Sequence, residues 1–211
     1  MAEHEETHAP DHGHAHGHQG LHGQGATGRG PLADASVRTA RPSDAPAVGL
    51  VQALVWREAY AAVVPAEVLA AFEPQSFAAA WRRSLESPPD GVYRLLTARA
   101  GEQVVGFAAI GPSQDPDAAP DTGELSALGV HPEARRQGHG SRLLNAAIDT
   151  LREAGAEVLH AWVLANDEDT RAFLMAAGLG PDGAFRDRVV SPDGATAREV
   201  RLVAHLGPPP A

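Results

Sequence analysis

Residues 122–155, TGELSALGVHPEARRQGHGSRLLNAAIDTLREAG, are the stretch that decides the fold. The first part predicts a β-strand, because its side chains divide into two alternating sets. One face then carries Glu124, Ser126, Leu128 and Val130, and the other carries Leu125, Ala127 and Gly129. Pro132 predicts the end of the strand, since proline has no N–H to donate to a neighbouring strand.

Apolar residues recur at helical spacing in the second part of the stretch. They are Leu143, Leu144, Ala147, Ile148 and Leu151. Polar side chains such as Arg142 and Asp149 stand between them, so this part predicts an amphipathic helix. Gly155 is the expected end, because glycine readily adopts the left-handed conformation that commonly follows a helix.

Between strand and helix lies RRQGHG, residues 135–140. Its two glycines let the backbone approach a ligand closely, at the point where the first N–H groups of a helix lack intrahelical acceptors. This combination predicts an anion-binding corner. No Lys-Ser/Thr pair follows the last glycine and the order is not G-x-G-x-x-G, so neither nucleotide-binding motif applies.

Arg135, Gly138 and Gly140 fit the pattern R-x-x-G-x-G, and a Val-His-Pro turn precedes them. Here the chain resembles the GNAT superfamily of N-acetyltransferases, in which a strand, such a turn, a [Gln/Arg]-x-x-Gly-x-[Gly/Ala] loop and a helix follow one another. The resemblance implies that the corner holds the pyrophosphate of coenzyme A. The alternative is a tight strand-to-helix turn that binds no ligand.

The composition of the chain excludes several classes of function. The chain has 211 residues, 43% of them hydrophobic, which suits one domain with a tail. A formal net charge of −10 argues against nucleic acid as a partner and permits a cationic or amine-bearing substrate. The absence of cysteine excludes disulfides and thiolate chemistry. No apolar run is long enough for a membrane span, and the polar, acidic start predicts a cytoplasmic protein.

The first 35 residues form a His-rich tail without apolar periodicity, so we expect residues 1–35 to be disordered. The alternating residues are His12, His14, His16 and His18. They fit either weak capture of a divalent metal by imidazole or a low-complexity tail with incidental affinity. No defined metal site follows from either interpretation. Residues 207–211 predict a frayed end.

Residues 36–206 predict one domain: a strand, two or three helices, three strands, a helix, a strand, a helix and two strands. This order predicts an α/β chain of the α+β type, with a mixed, mostly antiparallel sheet of about six to seven strands, as in the GNAT fold. Ser43 is the expected cap of the first helix. Trp56 and Tyr60, near its end, are either core residues or part of an acceptor wall.

Acyl transfer to an amine points to Glu124. A primary amine has a pKa of about 10 and is mostly protonated at neutral pH, so a nearby base assists the reaction. Glu124 opens the central strand, where many GNAT relatives place a catalytic glutamate. The alternative is a strand-end charge that faces solvent. The acidic loop before it, with Asp115, Asp117 and Asp121, predicts a solvated connection that could attract a cationic acceptor.

The resemblance implies further site residues. Leu128, Gly129 and Val130 would offer backbone groups to the pantetheine arm and to the oxyanion. Pyrophosphate contacts are implied for Arg135, Arg136, Gln137, Gly138, His139, Gly140 and Ser141. Asp167, with Asn166 one residue earlier, occupies a position at which relatives often carry an asparagine. Leu174 occupies the position of a tyrosine that protonates the departing thiolate, a role that leucine cannot fill. Either the thiolate leaves without an acid, or Tyr60 or water supplies the proton.

The predicted function is N-acetyl transfer from acetyl-CoA to a primary amine of a small molecule or protein. The alternative is a CoA-binding sensor or partner domain with little catalysis, which the leucine at position 174 favours. Metal handling by the tail is a third hypothesis, and homodimer formation stays open.

Overall fold

The computed structural model describes residues 35–191 and 194–207. Predictions that concern residues 1–34, 192–193 and 208–211, among them the His-rich tail and its alternating histidines, lie outside the described residues. Within the described part, helices and strands follow the predicted order.

The strands are β1 (Ala35–Thr39), β2 (Arg94–Ala100), β3 (Gln103–Pro112), β4 (Thr122–Val130), β5 (Val158–Leu164), β6 (Gly180–Val189) and β7 (Thr196–His205). The helices are α1 (Ala45–Tyr60), α2 (Ala66–Ala70), α3 (Pro74–Glu86), α4 (His139–Glu153) and α5 (Glu168–Ala176). Short 3-10 turns occupy Pro42–Asp44 and Pro132–Ala134.

The strands form one seven-stranded sheet in the order β1-β2-β3-β4-β5-β7-β6. All neighbours run antiparallel except β4 and β5, which confirms the mixed, mostly antiparallel sheet. The parallel pairing of β4 with β5 ends at Leu125 and Ala161. Beyond these residues the two strands separate, so among the described residues no strand pairs with β4 on the side of β5. The sheet therefore opens into a cleft at its centre.

Helices cover the sheet on both faces. Leu143 of α4 and Leu174 of α5 share one core cluster with Ala108 of β3, whereas Val51 of α1 shares a second cluster with Phe107. Because Ala108 and Phe107 are consecutive residues of one strand, their side chains point to opposite faces. We call these the α4 face and the α1 face of the sheet.

A β-bulge makes the predicted alternation in β4 wrong. Leu125 and Ala127 pair with consecutive residues of β3, so Ser126 between them has no partner of its own. An extra residue reverses the order in which side chains alternate. Leu125 and Leu128, three positions apart, consequently both pack on the α4 face. Glu124 therefore lies on the α1 face, opposite to Leu128, although strict alternation placed the two together.

The start of α1 also differs from the prediction. Ser43 lies within the 3-10 turn, and Asp44 occupies the cap position. The Asp44 carboxylate accepts hydrogen bonds from Arg38 at 2.7 and 2.9 Å and from the amide of Arg41 at 2.7 Å. This ion pair fixes the connection between β1 and α1. No helix in the described ranges has the length and apolar content that crossing a bilayer requires.

Candidate active site

The corner before α4 presents outward-facing backbone donors. Arg136 has φ 62° and Gly138 has φ 81°, and these left-handed residues turn the chain sharply into the helix. In residues 35–191 and 194–207, the N–H groups of residues 136–141 donate to no protein acceptor. Free N–H groups at a helix N-terminus bind anions, because the donors converge and the helix dipole is positive there. The corner therefore has the chemistry that a pyrophosphate requires.

Gly138 is required here for two reasons. Its φ is one that residues with a side chain rarely adopt. A Cβ at this position would also stand 3.0 Å from the Arg142 guanidinium, which donates to the carbonyl of Gln137 at 3.1 Å. Arg142 and the exposed Arg136 place positive charge beside the free amides.

Arg135 forms an ion pair with α1. Its guanidinium donates to both carboxylate oxygens of Glu58 on α1, at 2.8 and 2.5 Å, and to the carbonyl of Val130 at 3.3 Å. Its amide donates to Pro132. Through these contacts Arg135 links α1 to the end of β4, while its side chain remains partly exposed.

His139 turns its ring away from the exposed corner. Its side chain lies in line with Leu143, is 4% exposed, and its Nδ1 has no partner in the described part of the chain. Burial, followed by the nearby Arg142 charge, lowers the pKa of His139 below its usual value. The His139 side chain is thus a core residue, and only its amide faces the corner.

The start of α5 differs from the arrangement that the resemblance implies. The carboxylate of Asp167 accepts from the amide of Thr170 at 3.0 Å and so caps the helix, while Asn166 is exposed. Leu174 is 2% exposed within the core, and Phe173 packs against Gly140 of α4. Leu174 therefore places no proton donor in the cleft, as its side chain predicts.

Glu124 is half-buried on the α1 face, next to the point where β4 and β5 separate. Its carboxylate accepts from the amide of Gln114 at 3.5 Å. Burial raises the pKa of Glu124 above the ordinary value, and the nearby charge of Asp115 acts in the same direction. A carboxylate with a raised pKa is a better proton acceptor than an exposed one.

A buried polar group, which we call the Arg201 cluster, lies beside Glu124 on the same face. It comprises Asp115, Asp117, His160, Trp162, Asp182 and Arg201. Arg201, whose side chain is 9% exposed, donates to Asp117 through both terminal nitrogens at 2.8 Å. It also reaches Asp115 at 3.2 Å and Asp182 at 2.8 Å.

The Arg201 cluster corrects the prediction of a solvated loop. Asp115, whose side chain is 7% exposed, is buried against β5 and β7, although Asp117 on the same loop is mostly exposed. A sequence signal was available: Glu199 and Arg201 alternate with Val200 and Leu202 in β7 and so share one face of that strand, and buried charges require partners.

Further charged and aromatic side chains lie on the α1 face. Glu199, whose side chain is 5% exposed, accepts from Arg186 at 2.6 Å, and the Arg186 guanidinium lies 4.3 Å from the centre of the Trp162 ring. Burial raises the pKa of Tyr60, and the Glu199 charge acts in the same direction.

Tyr60 belongs to an aromatic cluster with Trp56, Phe72 and Phe77, whose ring centroids lie 5.3 to 6.0 Å apart. These rings are half-buried rather than fully enclosed. They hold α1, α2 and α3 together beside the Arg201 cluster.

Comparisons with known proteins agree with this architecture. A sequence model of the acetyltransferase (GNAT) family matches residues 54–179. The uncharacterized N-acetyltransferase YuaI of Bacillus subtilis (strain 168) is 30% identical over 153 residues, which are 72% of this chain and 83% of that protein. A mycothiol acetyltransferase of Sanguibacter keddieii is 37% identical over 86 residues, 40% of this chain but 27% of that protein.

A solved structure extends the comparison to the fold. The structure of yncA from Salmonella typhimurium, which holds its cofactor acetyl-CoA, aligns with a TM-score of 0.61 at 19% identity. The alignment covers 84% of this chain and 97% of that one. At this identity the similarity establishes the arrangement of the backbone.

Proposed function

The chain belongs to the GNAT acetyltransferase family, and from this premise we propose that it transfers an acetyl group from acetyl-CoA to a primary amine of a small molecule or protein. The observation that carries the proposal is the set of free N–H groups at residues 136–141, beside the open edge of β4. Acetyl-CoA fits these two features, because it joins a pyrophosphate to an amide-containing arm and a thioester. Acetyl-CoA supplies the acetyl group in activated form.

Different residues of the chain have different roles in the proposed reaction. The amides of residues 136–141 hold the pyrophosphate, with Arg136 and Arg142 adding charge. Backbone groups of Leu128–Val130 pair with the pantetheine arm as an added strand would, and a backbone N–H there faces the developing oxyanion. Glu124 removes a proton from the acceptor ammonium group.

The face around Glu124 supports an amine as the acceptor. Side-chain carboxylates outnumber guanidinium groups there: Asp115, Asp117, Glu124, Asp182 and Glu199 stand against Arg186, Arg188 and Arg201. A surplus of negative charge at a half-open face attracts a cation. The charge of the site therefore supports an amine as the acceptor, and the net charge of −10 acts in the same direction.

A CoA-binding domain with little catalysis is the second candidate, and Leu174 is the observation that favours it. A thiolate leaving group has a pKa of about 8.5, so it departs without an acid, and loss of the tyrosine lowers the rate more than it changes the reaction.

Release of free CoA distinguishes the two candidates. The full chain, mixed with acetyl-CoA and a panel of primary amines, is expected to release thiol and to form acetylated amine, both measured against a blank without amine. Calorimetric binding of acetyl-CoA without turnover of any amine or peptide N-terminus would favour the sensor. An absence of binding heat would contradict both.

A further inference from the structure

His160 lies beside the candidate base. It pairs directly with Glu124 across the parallel β4–β5 ladder, one position before the strands separate. Leu125 and Ala161 face α4, so the side chains of Glu124 and His160 both point to the α1 face. We propose that His160 is a second proton acceptor for the amine, positioned by Asp115. This inference rests on the proposed acetyl transfer.

The bonding of Asp115 determines which nitrogen of His160 carries the proton. The Asp115 carboxylate accepts from Trp162 Nε1 at 3.0 Å and from Arg201 at 3.2 Å, and His160 Nδ1 lies 3.1 Å away. Tryptophan and arginine are donors only, so the carboxylate oxygens act as acceptors in both contacts. The matching group on His160 is Nδ1–H, which leaves the lone pair at Nε2.

His160 Nε2 is free to accept a proton. In residues 35–191 and 194–207 it has no protein partner. It is also not sealed in the core, because the fully buried nitrogens without partners in that part belong to Arg99, His139 and Arg171. A lone pair without a protein partner, on the face of Glu124, is placed to act on a ligand that enters there.

A purely structural role would not require this imidazole. Arg201 already joins the loop that carries Asp115 and Asp117 to β7. The charged groups near His160 are Asp115 and Asp117 from the loop, Glu124 from β4, Asp182 and Arg186 from β6, and Arg201 from β7. The Asp115 carboxylate, 3.1 Å from His160 Nδ1, holds the ring in place.

The stoichiometry of the reaction calls for two acceptors. An alkylammonium nitrogen carries three hydrogens and the nitrogen of a secondary amide carries one, so two protons leave as the C–N bond forms and the C–S bond breaks. One of them ends on the sulfur of CoA and the other in solvent. Leu174 offers no proton donor, and Glu124 and His160 are neighbouring side chains on one face that are placed to carry these protons.

Two substitutions separate the roles of His160. The asparagine side chain introduced by His160→Asn keeps an N–H donor toward Asp115 but has no counterpart of the Nε2 lone pair. We expect it to lower kcat/KM for the amine about tenfold or more and to change the pH profile of kcat/KM, with unchanged acetyl-CoA affinity. The matched control is His205→Asn, the same substitution at an exposed histidine at the end of β7 outside the Arg201 cluster, which is expected to keep the pH profile.

If the wild-type chain is active and His160→Asn has the same kcat/KM at every pH, the role of His160 is refuted while acetyl transfer stands. An inactive wild-type chain would instead overturn the proposed function, and the inference with it. Nitrogen NMR of the wild-type imidazole gives a test that needs no variant. The expected tautomer has the proton on Nδ1, and a proton on Nε2 alone would refute the proposal.

Discussion

The corner before α4 and the Arg201 cluster flank the same cleft and are built by opposite means. The corner consists of backbone N–H groups from a short continuous stretch, and its side chains face outward or into the core. The Arg201 cluster consists of side chains from the β3–β4 loop, β5, β6 and β7, and none of its bonds to Arg201 is local in sequence. A site made of backbone N–H groups depends on the local path of the chain. A site made of side chains from several strands depends on the packing of the whole sheet.

The largest expected effect concerns the stability of the Arg201 cluster. Arg201→Met removes the nearer of the two guanidinium groups beside the buried Asp115 and leaves Arg186 at 3.8 Å, and we expect a loss of about 3 kcal/mol in the free energy of unfolding, measured by urea denaturation. Arg198→Met is the control, since Arg198 makes a two-bond ion pair with Asp187 at the exposed surface and should change stability little. Equal effects of the two substitutions would show that the cluster does not differ energetically from a surface pair.

Glu124→Gln tests the proposed role of Glu124 as the base beside the Arg201 cluster. We expect turnover to fall about a hundredfold, because the base is lost, while the affinity for acetyl-CoA stays unchanged. In the wild-type chain, kcat/KM should rise with pH through a pKa above 4.5, since burial raises the pKa of Glu124. Unchanged turnover in the variant would remove Glu124 from the mechanism.

Stability offers a second measure of the same carboxyl. A raised pKa in the folded state means that ionisation of Glu124 costs native stability as pH rises through that pKa. Glu124→Gln should therefore raise the melting temperature at neutral pH, and the difference should vanish below the unfolded-state pKa of 4.5. A melting temperature that is lower in the variant at neutral pH would contradict this.

Ser141→Pro tests the corner, whose donors cannot be removed by changing side chains. Proline is tolerated in the first turn of a helix and eliminates one free N–H. A hydrogen bond to a charged group contributes about 1.5 kcal/mol or more, so calorimetry should show acetyl-CoA binding at least tenfold weaker. Ser141→Ala keeps the N–H and should bind normally. Equal affinities would show that this amide does not contact the pyrophosphate.

His139→Leu has the smallest expected effect. The substitution removes a buried nitrogen without a partner from the core beneath the corner, and we expect a gain of about 1 kcal/mol in the free energy of unfolding. The wild-type chain should lose stability as pH falls below 6.5, because the unfolded chain takes up a proton that folded His139 resists. The part of this loss that His139 causes should be absent in the variant, as urea denaturation at two pH values would show.

The local parts of the fold could be predicted from the sequence. Gly155 follows the end of α4, and Asp167 caps α5. Both roles could be predicted because they depend on neighbours within a few residues. Leu174 could be excluded as a proton donor from its side chain alone. The same local reasoning failed for Glu124, since a bulge depends on how β3 and β4 pair rather than on either strand alone.

The non-local contacts were outside the reach of sequence patterns. Arg135 matches the motif of the corner, yet its guanidinium is bound by Glu58, 77 positions away. Asp115 stands in a loop rich in proline and aspartate, a composition typical of solvated loops, and its burial against Trp162 requires β5 and β7 to be in place.

The sequence by itself determined the order of elements, the corner with its free amides and the family, because periodicity, glycine positions and helix ends are properties of neighbouring residues. Only the tertiary structure decided which face Glu124 occupies, what Arg135 binds and how Arg201 gathers three carboxylates around one buried guanidinium. The physical reason is that a buried charge must find its partners in space, and the chain brings those partners together only when the sheet forms.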